Sequence, residues 1–501
     1  MLEAEDLAYR ELHAAEGAGR RALVVGLGAS GRAAAAYLVR QGWTVEVWDT
    51  RATVAGSDAF RESNPAVTVH LGGLPQTVPE GVDLVVMSPG ISPLFGAAAP
   101  LCASAREAGV PVAGEIELFA QHLAHLRATK GYEPKVVAIT GTNGKTTTTS
   151  LTARLVAGSG RTVVAAGNIG PNAIAELTRA EDARELPDVW VLELSSFQLE
   201  TTHTLFCDAA ALLNITEDHI DWHGSLEVYA AAKARIFSPG TVRVVNREDP
   251  LALEWGTKGA LETDRICSFG GGIPRKKGEF GLDMAAHASQ GWWLAALDEY
   301  EIEVLYLPEQ ELKIRGRHNT MNALAALALT AAIGIERQSV LVPLRTYTGE
   351  PHRVELVRTV AGRDFIDDSK GTNVGAVAAA VTGLAGQGRR IRILMGGDGK
   401  GQDFGPLAEV LKGRADAVAL IGKDADPIGE AIAPAGAEMR KFPTLEAAVD
   451  WLWEGSAEGD IILLSPACAS WDMFRDYAER SARFKACAEA IAAREGKEPE
   501  A

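Results

Sequence analysis

Cysteine is scarce in this chain of 501 residues, which contains only Cys102, Cys207, Cys267, Cys468 and Cys487. The five are widely scattered, odd in number and form no C-x-x-C pair. Such a pattern argues against a disulfide framework and predicts reduced thiols in a cytoplasm.

Long apolar runs and excess positive charge are also lacking. No apolar run reaches 18 residues, and the acidic N-terminus, MLEAEDLAYREL, has no signal-peptide core, so we expect a soluble cytoplasmic protein. The net charge of -17 argues against nucleic acid as the main partner, because phosphate backbones are bound by excess Lys and Arg. Small anionic ligands need only local positive groups and are not excluded.

What is present is an ordinary globular composition, 47% apolar and 23% charged, in a chain long enough for about three domains. No solenoid-type repeat is visible. Apolar runs alternate with helical stretches in three blocks, which predicts three α/β domains in a row, spanning 1–130, 131–336 and 337–501. Between about 270 and 312, alternating segments such as EIEVLYL favour antiparallel strands.

The stretch VAITGTNGKTT, residues 137–147, resembles a phosphate-binding loop that lacks its first glycine. The usual pattern is G-x-x-x-x-G-K-[ST], and here Ile139 stands at the opening position. Gly141 and Gly144 still allow backbone N–H groups to surround an anion at a helix N-terminus. Lys145 supplies a point charge for the outer phosphates, and Thr146 offers a hydroxyl to Mg²⁺. A glycine-rich turn that merely starts a helix is the weaker alternative, because strand, loop and helix follow in the expected order.

Polar residues follow two further strands of this block. Glu193 ends the run DVWVLE, and the segment NITEDHIDWHG (214–224) supplies Asp218, His219, Asp221 and His223. The carboxyl ends of parallel strands face the ligand crevice, so these residues favour a metal–nucleotide site. A single loop carboxylate would more often be a solvated residue, and His219 is a poor Mg²⁺ ligand by itself.

A second glycine motif opens the first block. GLGASG, with Gly26, Gly28 and Gly31, follows an apolar strand, and Asp49 lies 18 residues after Gly31. A lone G-x-G-x-x-G is weak evidence for a dinucleotide site. An NAD(P) oxidoreductase is therefore one alternative, although it explains the first block alone.

Ten separate motifs cover nearly the whole chain after the first twenty residues: GTNGKTT, GNIG, LELSSFQLE, EDHIDWHG, AAKARIF, GRHNTMNALAA, PHRVE, DDSKGTN, GGDGKGQDF and LSPACASWDMF. Together they resemble the Mur ligases of bacterial cell-wall synthesis. The resemblance implies an ATP-dependent ligase that adds D-glutamate to UDP-N-acetylmuramoyl-L-alanine through an acyl phosphate during peptidoglycan synthesis. It also implies a Rossmann-like N-terminal domain, a central P-loop ATPase domain and a Rossmann-like C-terminal domain, in a protein that we expect to be monomeric.

The resemblance further implies an ATP site with Mg²⁺ at two positions. The metal residues would be Thr146, Glu193, His219 and Lys233, of which Lys233 is carbamylated in the family. Helical periodicity alone would leave Lys233 as a surface charge. Implied ATP-binding residues are Gly141, Thr142, Asn143, Gly144, Lys145, Thr146, Thr147, Asn319, Asn322, Arg353 and Asp368. Implied catalytic residues are Lys145, Glu193, His219, Lys233 and Arg353.

The two substrates have implied sites of their own. UDP-substrate contacts would be Gly28, Ser30, Asp49, Thr50, Arg51, Ser88, Gly90 and Asn168. Glutamate contacts would be Lys370, Thr372, Lys400, Ser470, Trp471 and Tyr477. Trp471 and Tyr477 depart from the smaller or non-hydroxylated side chains usual there, which bears on the fit and stereochemistry of the amino acid.

Two other classes of function compete with this hypothesis. Another ligase of the same superfamily, such as a folate polyglutamate ligase or a Mur ligase for alanine or diaminopimelate, would share the phosphate loop. The glycine-rich first block argues against the folate enzyme, and the absence of a D-N-P-R motif argues against the diaminopimelate enzyme. A non-catalytic nucleotide switch would not need Glu193, His219, Lys233, Arg353 and Lys370 together.

Overall fold

A computed structural model describes residues 15–261, 264–284, 291–298, 300–314, 316–385, 389–399 and 401–496. The chain divides into two compact units, Met1–Pro308 with Ala323–Leu344 and Glu309–Asn322 with Arg345–Ala501. The first unit contains two β-sheets and the second contains one. The α/β class expected from the alternating apolar runs is confirmed, whereas the domain boundaries near 130 and 336 stay a prediction.

The first sheet is entirely parallel, with strand order β3-β2-β1-β4-β5. Its strands are β1 (Arg21–Val25), β2 (Thr44–Asp49), β3 (Thr68–Leu71), β4 (Leu84–Met87) and β5 (Val112–Gly114). Its helices are α1 (Ala29–Arg40), α2 (Ser57–Ser63), α3 (Ala99–Glu107) and α4 (Glu115–Lys130). The direction in which successive strands are added reverses between β1 and β4, and such a switch point is where open α/β sheets bind ligands.

The central sheet has nine strands in the order β14-β13-β12-β11-β10-β9-β6-β8-β7. The parallel strands are β6 (Lys135–Thr140), β7 (Val163–Gly167), β8 (Val189–Glu193), β9 (Ala209–Leu212), β10 (Val242–Asn246), β11 (Ile266–Phe269) and β12 (Glu279–Asp283). The antiparallel continuation is β13 (Trp293–Leu297) and β14 (Glu303–Pro308). Antiparallel pairing was predicted for this region and is confirmed.

Helices cover both faces of the central sheet. They are α5 (Lys145–Gly158), α6 (Ala173–Ala183), α7 (Ser196–Glu200), α8 (Ile220–His223), α9 (Leu226–Ala234), α10 (Pro250–Thr257), α11 (Arg317–Ala332) and α12 (Arg337–Thr346). Residues 136–139 of β6 are fully buried, as expected for a central parallel strand whose sequence is continuously apolar. β6 lies between β8 and β9, so the loops after these three strands meet at one edge.

The second unit is built on a six-stranded sheet in the order β15-β16-β20-β17-β18-β19. Its strands are β15 (Glu355–Val360), β16 (Arg363–Asp367), β17 (Ile391–Gly396), β18 (Ala415–Ile421), β19 (Glu438–Lys441) and β20 (Ile461–Leu464). Only β15 pairs antiparallel. Its helices are α13 (Val374–Leu384), α14 (Pro406–Leu411), α15 (Ala425–Ile432), α16 (Leu445–Glu454) and α17 (Tyr477–Arg494).

No helix in the described part of the chain has the length and apolar character needed to cross a membrane.

Candidate active site

A cavity of about 440 Å³ lies at the switch point of the first sheet. It is lined by residues from the glycine turn after β1, the end of β2 and the turn after β4. All the predicted UDP-substrate contacts except Asn168 line it: Gly28, Ser30, Asp49, Thr50, Arg51, Ser88 and Gly90. The sequence motif therefore forms a cleft, as expected for a site that admits a diphosphate at a helix N-terminus.

Two glycines of this turn are required by close packing. A Cβ on Gly31 would lie 1.8 Å from the carbonyl oxygen of Gly26. Gly26 has φ of +94°, and a Cβ there would lie 2.7 Å from Ser88 Oγ. Glycine at both positions lets α1 and the β4 turn approach the end of β1 closely.

Asp49 fixes the shape of the cavity. Its side chain is 1% exposed, and Oδ2 accepts hydrogen bonds from the Leu27 amide at 2.8 Å and from the Arg51 guanidinium at 2.7 Å. These interactions, led by Arg51, lower the pKa of Asp49 to about 2. Asp49 is therefore ionised at neutral pH and ties the glycine turn to Arg51.

The phosphate loop lies between β6 and α5 and is held by the segment after β9. The Asn143 amide donates to Asn214 Oδ1 at 2.7 Å, and Asn214 Nδ2 donates to the Asn143 carbonyl at 2.9 Å. Gly141 and Gly144 have positive φ, +154° and +84°. Lys145 Nζ donates to the carbonyl oxygens of Gly141 and Thr142 at 2.9 and 2.8 Å. The loop thus has a fixed shape, and Lys145 already lies against its rim.

Glu193 and Asn168 form a pair beside this loop. Glu193 ends β8 and is 1% exposed, and its Oε1 accepts a hydrogen bond from Asn168 Nδ2 at 2.7 Å. Its Oε2 is buried and has no hydrogen-bond partner among the described residues. A buried carboxylate oxygen without a donor is costly unless a cation or ligand satisfies it.

Lys233 is buried, not a surface charge as periodicity alone suggested. It is 1% exposed, and its Nζ donates to the Gly141 carbonyl at 2.8 Å, the same oxygen that Lys145 contacts. Burial first, and the Lys145 charge second, lower the pKa of Lys233 well below its usual value, while Asp218 and Glu193 oppose the shift. The direction of this shift favours the neutral amine, which is the form that can react with CO2.

Tyr229 supports Lys233 and was missed from the sequence. Its ring lies under Lys233 Nζ at 4.5 Å, and its hydroxyl is 3.0 Å from Thr142 Oγ1. The two residues are four apart on α9, so the i, i+4 rule places both on one helix face. That spacing was the available signal, and it becomes informative only once one of the two residues is known to be buried.

The polar residues of the segment after β9 have different roles. His219 has φ of +55° and precedes α8, with its amide donating to Asp218 Oδ1 at 3.0 Å. His223 is fully buried, its Nε2 lies 2.9 Å from Ser196 Oγ, and burial lowers its pKa to about 4. Asp221 is exposed. His219 and Asp218 therefore remain candidates for the site, and His223 is a neutral packing residue between α7 and α8.

These residues fit a hard divalent cation in part. Glu193 Oε2 lacks a donor, and the Thr146 hydroxyl group lies at the start of α5. Within the described residues, however, Glu193, Asp218 and His219 do not form a compact three-ligand group. A carbamate on Lys233 would add two anionic oxygens to this set, which suits Mg²⁺ better than imidazole does.

The second unit contains the other predicted nucleotide residues. Asp368 follows β16, is buried, and its Oδ2 accepts a hydrogen bond from Ser465 Oγ at 2.7 Å. Burial raises the pKa of Asp368 to about 7, with Ser465 and Arg353 opposing the shift. Asn319 and Asn322 lie on the first turns of α11, where Asn322 Nδ2 donates to Asn319 Oδ1 at 3.2 Å.

The predicted glutamate residues lie at the carboxyl ends of β16 and β20 and at the start of α17. Lys370 Nζ lies 5.2 Å from the Tyr477 ring centre, and the His352 ring meets Tyr477 edge-on at 5.6 Å. Ser470 is buried, whereas Trp471 is 73% exposed. Thr372 lies two residues after Lys370, and Lys400 lies outside the described residues.

One structural residue and one ion-paired group of this unit were not predicted. Arg480 is fully buried and donates to the carbonyls of Cys468 and Ser369 at 3.1 and 2.8 Å, so it joins the loops after β20 and β16. His352, Glu355 and Asp367 lie close enough to hold a cation. Lys485 Nζ already contacts Glu355 at 2.8 Å, so this group is an ion-paired support.

Three family models match the chain in order. They are the Mur ligase MurD-like N-terminal domain over residues 20–114, the Mur ligase middle domain over 139–330, and the Mur ligase glutamate ligase domain over 352–468.

Two curated relatives match nearly the full length. A UDP-N-acetylmuramoylalanine–D-glutamate ligase of Ralstonia nicotianae is 49% identical over 489 residues, covering 95% of this chain and 97% of the relative. The ligase of the same name from Burkholderia pseudomallei is 47% identical over 497 residues, with the same coverage.

Two solved structures of similar fold have far lower sequence identity to this chain. A MurF ligase of Thermotoga maritima in complex with ADP is 16% identical with a TM-score of 0.58, covering 96% of this chain and 100% of that one. FolC of E. coli in complex with DHPP and ADP is 18% identical with a TM-score of 0.55, covering 76% and 93%. At these identities the likeness shows the fold alone.

Proposed function

The chain belongs to the Mur ligase family, and we propose that it is the member that joins D-glutamate to UDP-N-acetylmuramoyl-L-alanine with ATP, for peptidoglycan synthesis. One observation carries the proposal: Lys145 Nζ and Lys233 Nζ both donate to the Gly141 carbonyl of the phosphate loop. The charges of Asp218 and Glu193 act on Lys233 and oppose the lowering of its pKa. The relatives at 47% and 49% identity are named for this reaction.

The proposed chemistry solves a leaving-group problem. A carboxylate and an amine form a salt at neutral pH and not an amide, because an oxide is too poor a leaving group to be displaced from the acyl carbon. The substrate carboxylate oxygen attacks the γ-phosphorus of ATP, the bond to the β-phosphate oxygen breaks, and ADP leaves. The glutamate amine then attacks the acyl carbon, loses a proton, and expels inorganic phosphate as the amide forms.

The residues of the first unit have distinct tasks in this scheme. Lys145 exchanges its contacts with the loop carbonyls for the outer phosphate oxygens and stabilises the charge that develops there. Thr146, Glu193, His219 and a carbamate on Lys233 would hold Mg²⁺, which would supply electrostatic stabilisation of the transferring phosphoryl group. Asn168 orients the carboxylate of Glu193 through its hydrogen bond.

The remaining predicted residues are assigned to the nucleotide, to UDP and to glutamate. Arg353, Asp368, Asn319 and Asn322 are assigned to the nucleotide, and the residues that line the first cavity are assigned to UDP. Lys370, Thr372, Lys400, Ser470, Trp471 and Tyr477 are assigned to glutamate. ATP and a UDP-linked sugar are cytoplasmic metabolites, which supports a cytoplasmic location. We propose a monomer because one chain supplies all the residues assigned to the three substrates.

An amino-acid panel tests the function directly. With ATP, Mg²⁺ and UDP-N-acetylmuramoyl-L-alanine, we expect D-glutamate to give phosphate release matched by a new amide product. L-Glutamate, L-alanine and diaminopimelate should give little product. Preference for one of those three, or a folate substrate accepted instead of the UDP sugar, would point to another ligase of the superfamily.

Asp49→Ala is expected to raise KM for UDP-N-acetylmuramoyl-L-alanine by about tenfold, with a smaller effect on kcat. The change removes the charged acceptor that holds the Leu27 amide and Arg51, and hydrogen bonds to charged groups contribute about 1.5–3 kcal/mol. Steady-state kinetics with saturating ATP and glutamate measure the two constants. Asp58→Ala, which removes an exposed ion pair with Arg61, is the control, and a loss confined to kcat would contradict the binding role.

Tyr477→Ala is expected to raise KM for D-glutamate about tenfold, and Tyr477→Phe to change it less than about twofold. The ring provides the cation–π contact with Lys370 at 5.2 Å, an interaction of about 0.5–2 kcal/mol. The hydroxyl has no hydrogen-bond partner among the described residues. Steady-state kinetics with varied D-glutamate measure KM for both variants. An equal rise in KM in the two variants would show that the hydroxyl group, and not the ring, contributes to glutamate binding.

A further inference from the structure

A second cavity, of about 690 Å³, lies at the antiparallel end of the central sheet. Strands β11 to β14 and the C-terminal end of α11 line it, and none of the predicted site residues is among its lining residues. The sheet order puts β9 and β10 between this end and β6. At about 4.8 Å per strand, β11 is roughly 14 Å from the strand that carries the phosphate loop.

The floor of the cavity is apolar and partly aromatic. Phe280 and Tyr306 are buried, with ring centres 6.4 Å apart, and Ala296 pairs with Phe280 across the strands. Ala331 and Ala332 of α11 also line the cavity. Its volume is in the range of sites for small organic ligands.

Three cations stand at the rim: Arg265, Lys276 and Lys277. All three are exposed, and in the described part of the chain none of them forms an ion pair. Among the described lining residues the one acid is Asp298, and its Oδ1 accepts hydrogen bonds from the amides of Tyr300 and Ile302 at 2.8 and 2.9 Å. The rim is therefore locally positive on a chain whose net charge is -17.

Tyr306 adds a polar group to the apolar floor. Tyr306 lines the cavity, and its hydroxyl is neither hydrogen-bonded within the described residues nor one of their fully buried unpaired polar atoms. Burial raises the pKa of Tyr306 to about 12, so the group remains a donor at neutral pH. A phenol hydroxyl on the lining of a cavity is available to donate to a ligand or to water.

We propose that this cavity is a binding site, separate from the reaction centre, for a small aromatic anion, with its ring system against Phe280 and Tyr306 and its acidic group against Lys276 and Lys277. Aromatic rings favour stacked or edge-on partners, and unpaired ammonium groups favour a carboxylate, sulfonate or phosphate. An uncharged apolar ligand would not pair with the cations of the rim. A simple inorganic anion would not contact the aromatic rings of the floor.

Fluorescence of 8-anilinonaphthalene-1-sulfonate, an aromatic sulfonate, tests the proposal on the full-length protein in the presence of saturating ADP and Mg²⁺. We expect one saturable site that ADP does not displace. Lys276→Gln with Lys277→Gln should raise the Kd of the probe at least fivefold, and Ala296→Leu, which fills the space beside Phe280, should abolish the binding. Lys313→Gln removes another exposed lysine and should leave the Kd unchanged.

Ligase activity and melting temperature are measured for the same variants and should match the wild type, because no lining residue belongs to the reaction machinery. Competition with 1-naphthoate should displace the probe more readily than decanoate does. No saturable site, full displacement by ADP, unchanged binding in the variants, or stronger competition by decanoate would each overturn the assignment. Absence of ligase activity in the wild type would contradict the proposed function and would not affect the conclusions from probe binding.

Discussion

Lys233→Ala is expected to lower the rate of amide formation by at least about 10³-fold while the Kd for ATP changes less than about threefold. Removal of one preorganised electrostatic group commonly costs about 10²–10³ in kcat, and here the loss also removes the carbamate oxygens assigned to Mg²⁺. ATP binding should survive because Lys145 and the loop amides remain. The buried Nζ beside Lys145 is the observation that motivates the prediction.

The experiment compares single-turnover amide formation with nucleotide affinity from calorimetry. Lys135→Ala, which removes an exposed lysine paired with Asp208 in the same unit, is the matched control. Intact-mass measurement under CO2-saturated buffer adds a readout independent of activity, since the wild type should gain a carbamate that Lys233→Ala does not. An active Lys233→Ala variant would remove this residue from the mechanism.

Glu193→Gln is expected to lower kcat by at least about 10²-fold and to raise the Mg²⁺ concentration that gives half-maximal rate. The substitution keeps the shape and leaves an oxygen to accept the Asn168 hydrogen bond. It replaces the unpartnered Oε2 with an N–H donor, which cannot bind a cation. Electrostatic stabilisation of phosphoryl transfer should then be weakened.

Magnesium titrations of the reaction rate measure both quantities, with Glu185→Gln, an exposed acid paired with Arg179, as the control. Melting temperature checks the fold, because a buried amide in place of a carboxylate can alter stability. An unchanged Mg²⁺ dependence together with a lowered kcat would show that Glu193 acts on the substrates and not on a metal.

The glycine motifs were predictable because each imposes a local conformation. Gly26 and Gly31 allow a close approach that any Cβ would prevent, and the strand–turn–helix order follows from the apolar pattern. The same pattern could not decide between a dinucleotide and a UDP sugar, since both present a diphosphate to a helix N-terminus. Membership of the Mur ligase family identifies the chain as a ligase, against the oxidoreductase and switch alternatives. The assignment of the first glycine motif to a UDP sugar stays a prediction.

The burial of Lys233 could not be predicted from the local sequence. An alanine-rich helix predicts a solvated lysine, and only tertiary packing places this amine against the Gly141 carbonyl and over the Tyr229 ring. Ser196, Ser465 and Arg480 were missed for a related reason. Their hydrogen bonds join residues that are 27, 97 and 111 positions apart in sequence, and no local periodicity indicates such pairings.

The central claim is that the terminal phosphoryl group of ATP passes to the substrate carboxylate before the amide forms. The most direct measurement uses UDP-N-acetylmuramoyl-L-alanine labelled with ¹⁸O in its carboxylate, together with ATP, Mg²⁺ and D-glutamate. The account predicts one ¹⁸O atom in each released phosphate and one ADP for each amide. Unlabelled phosphate, or ADP formed without the amide, would contradict it.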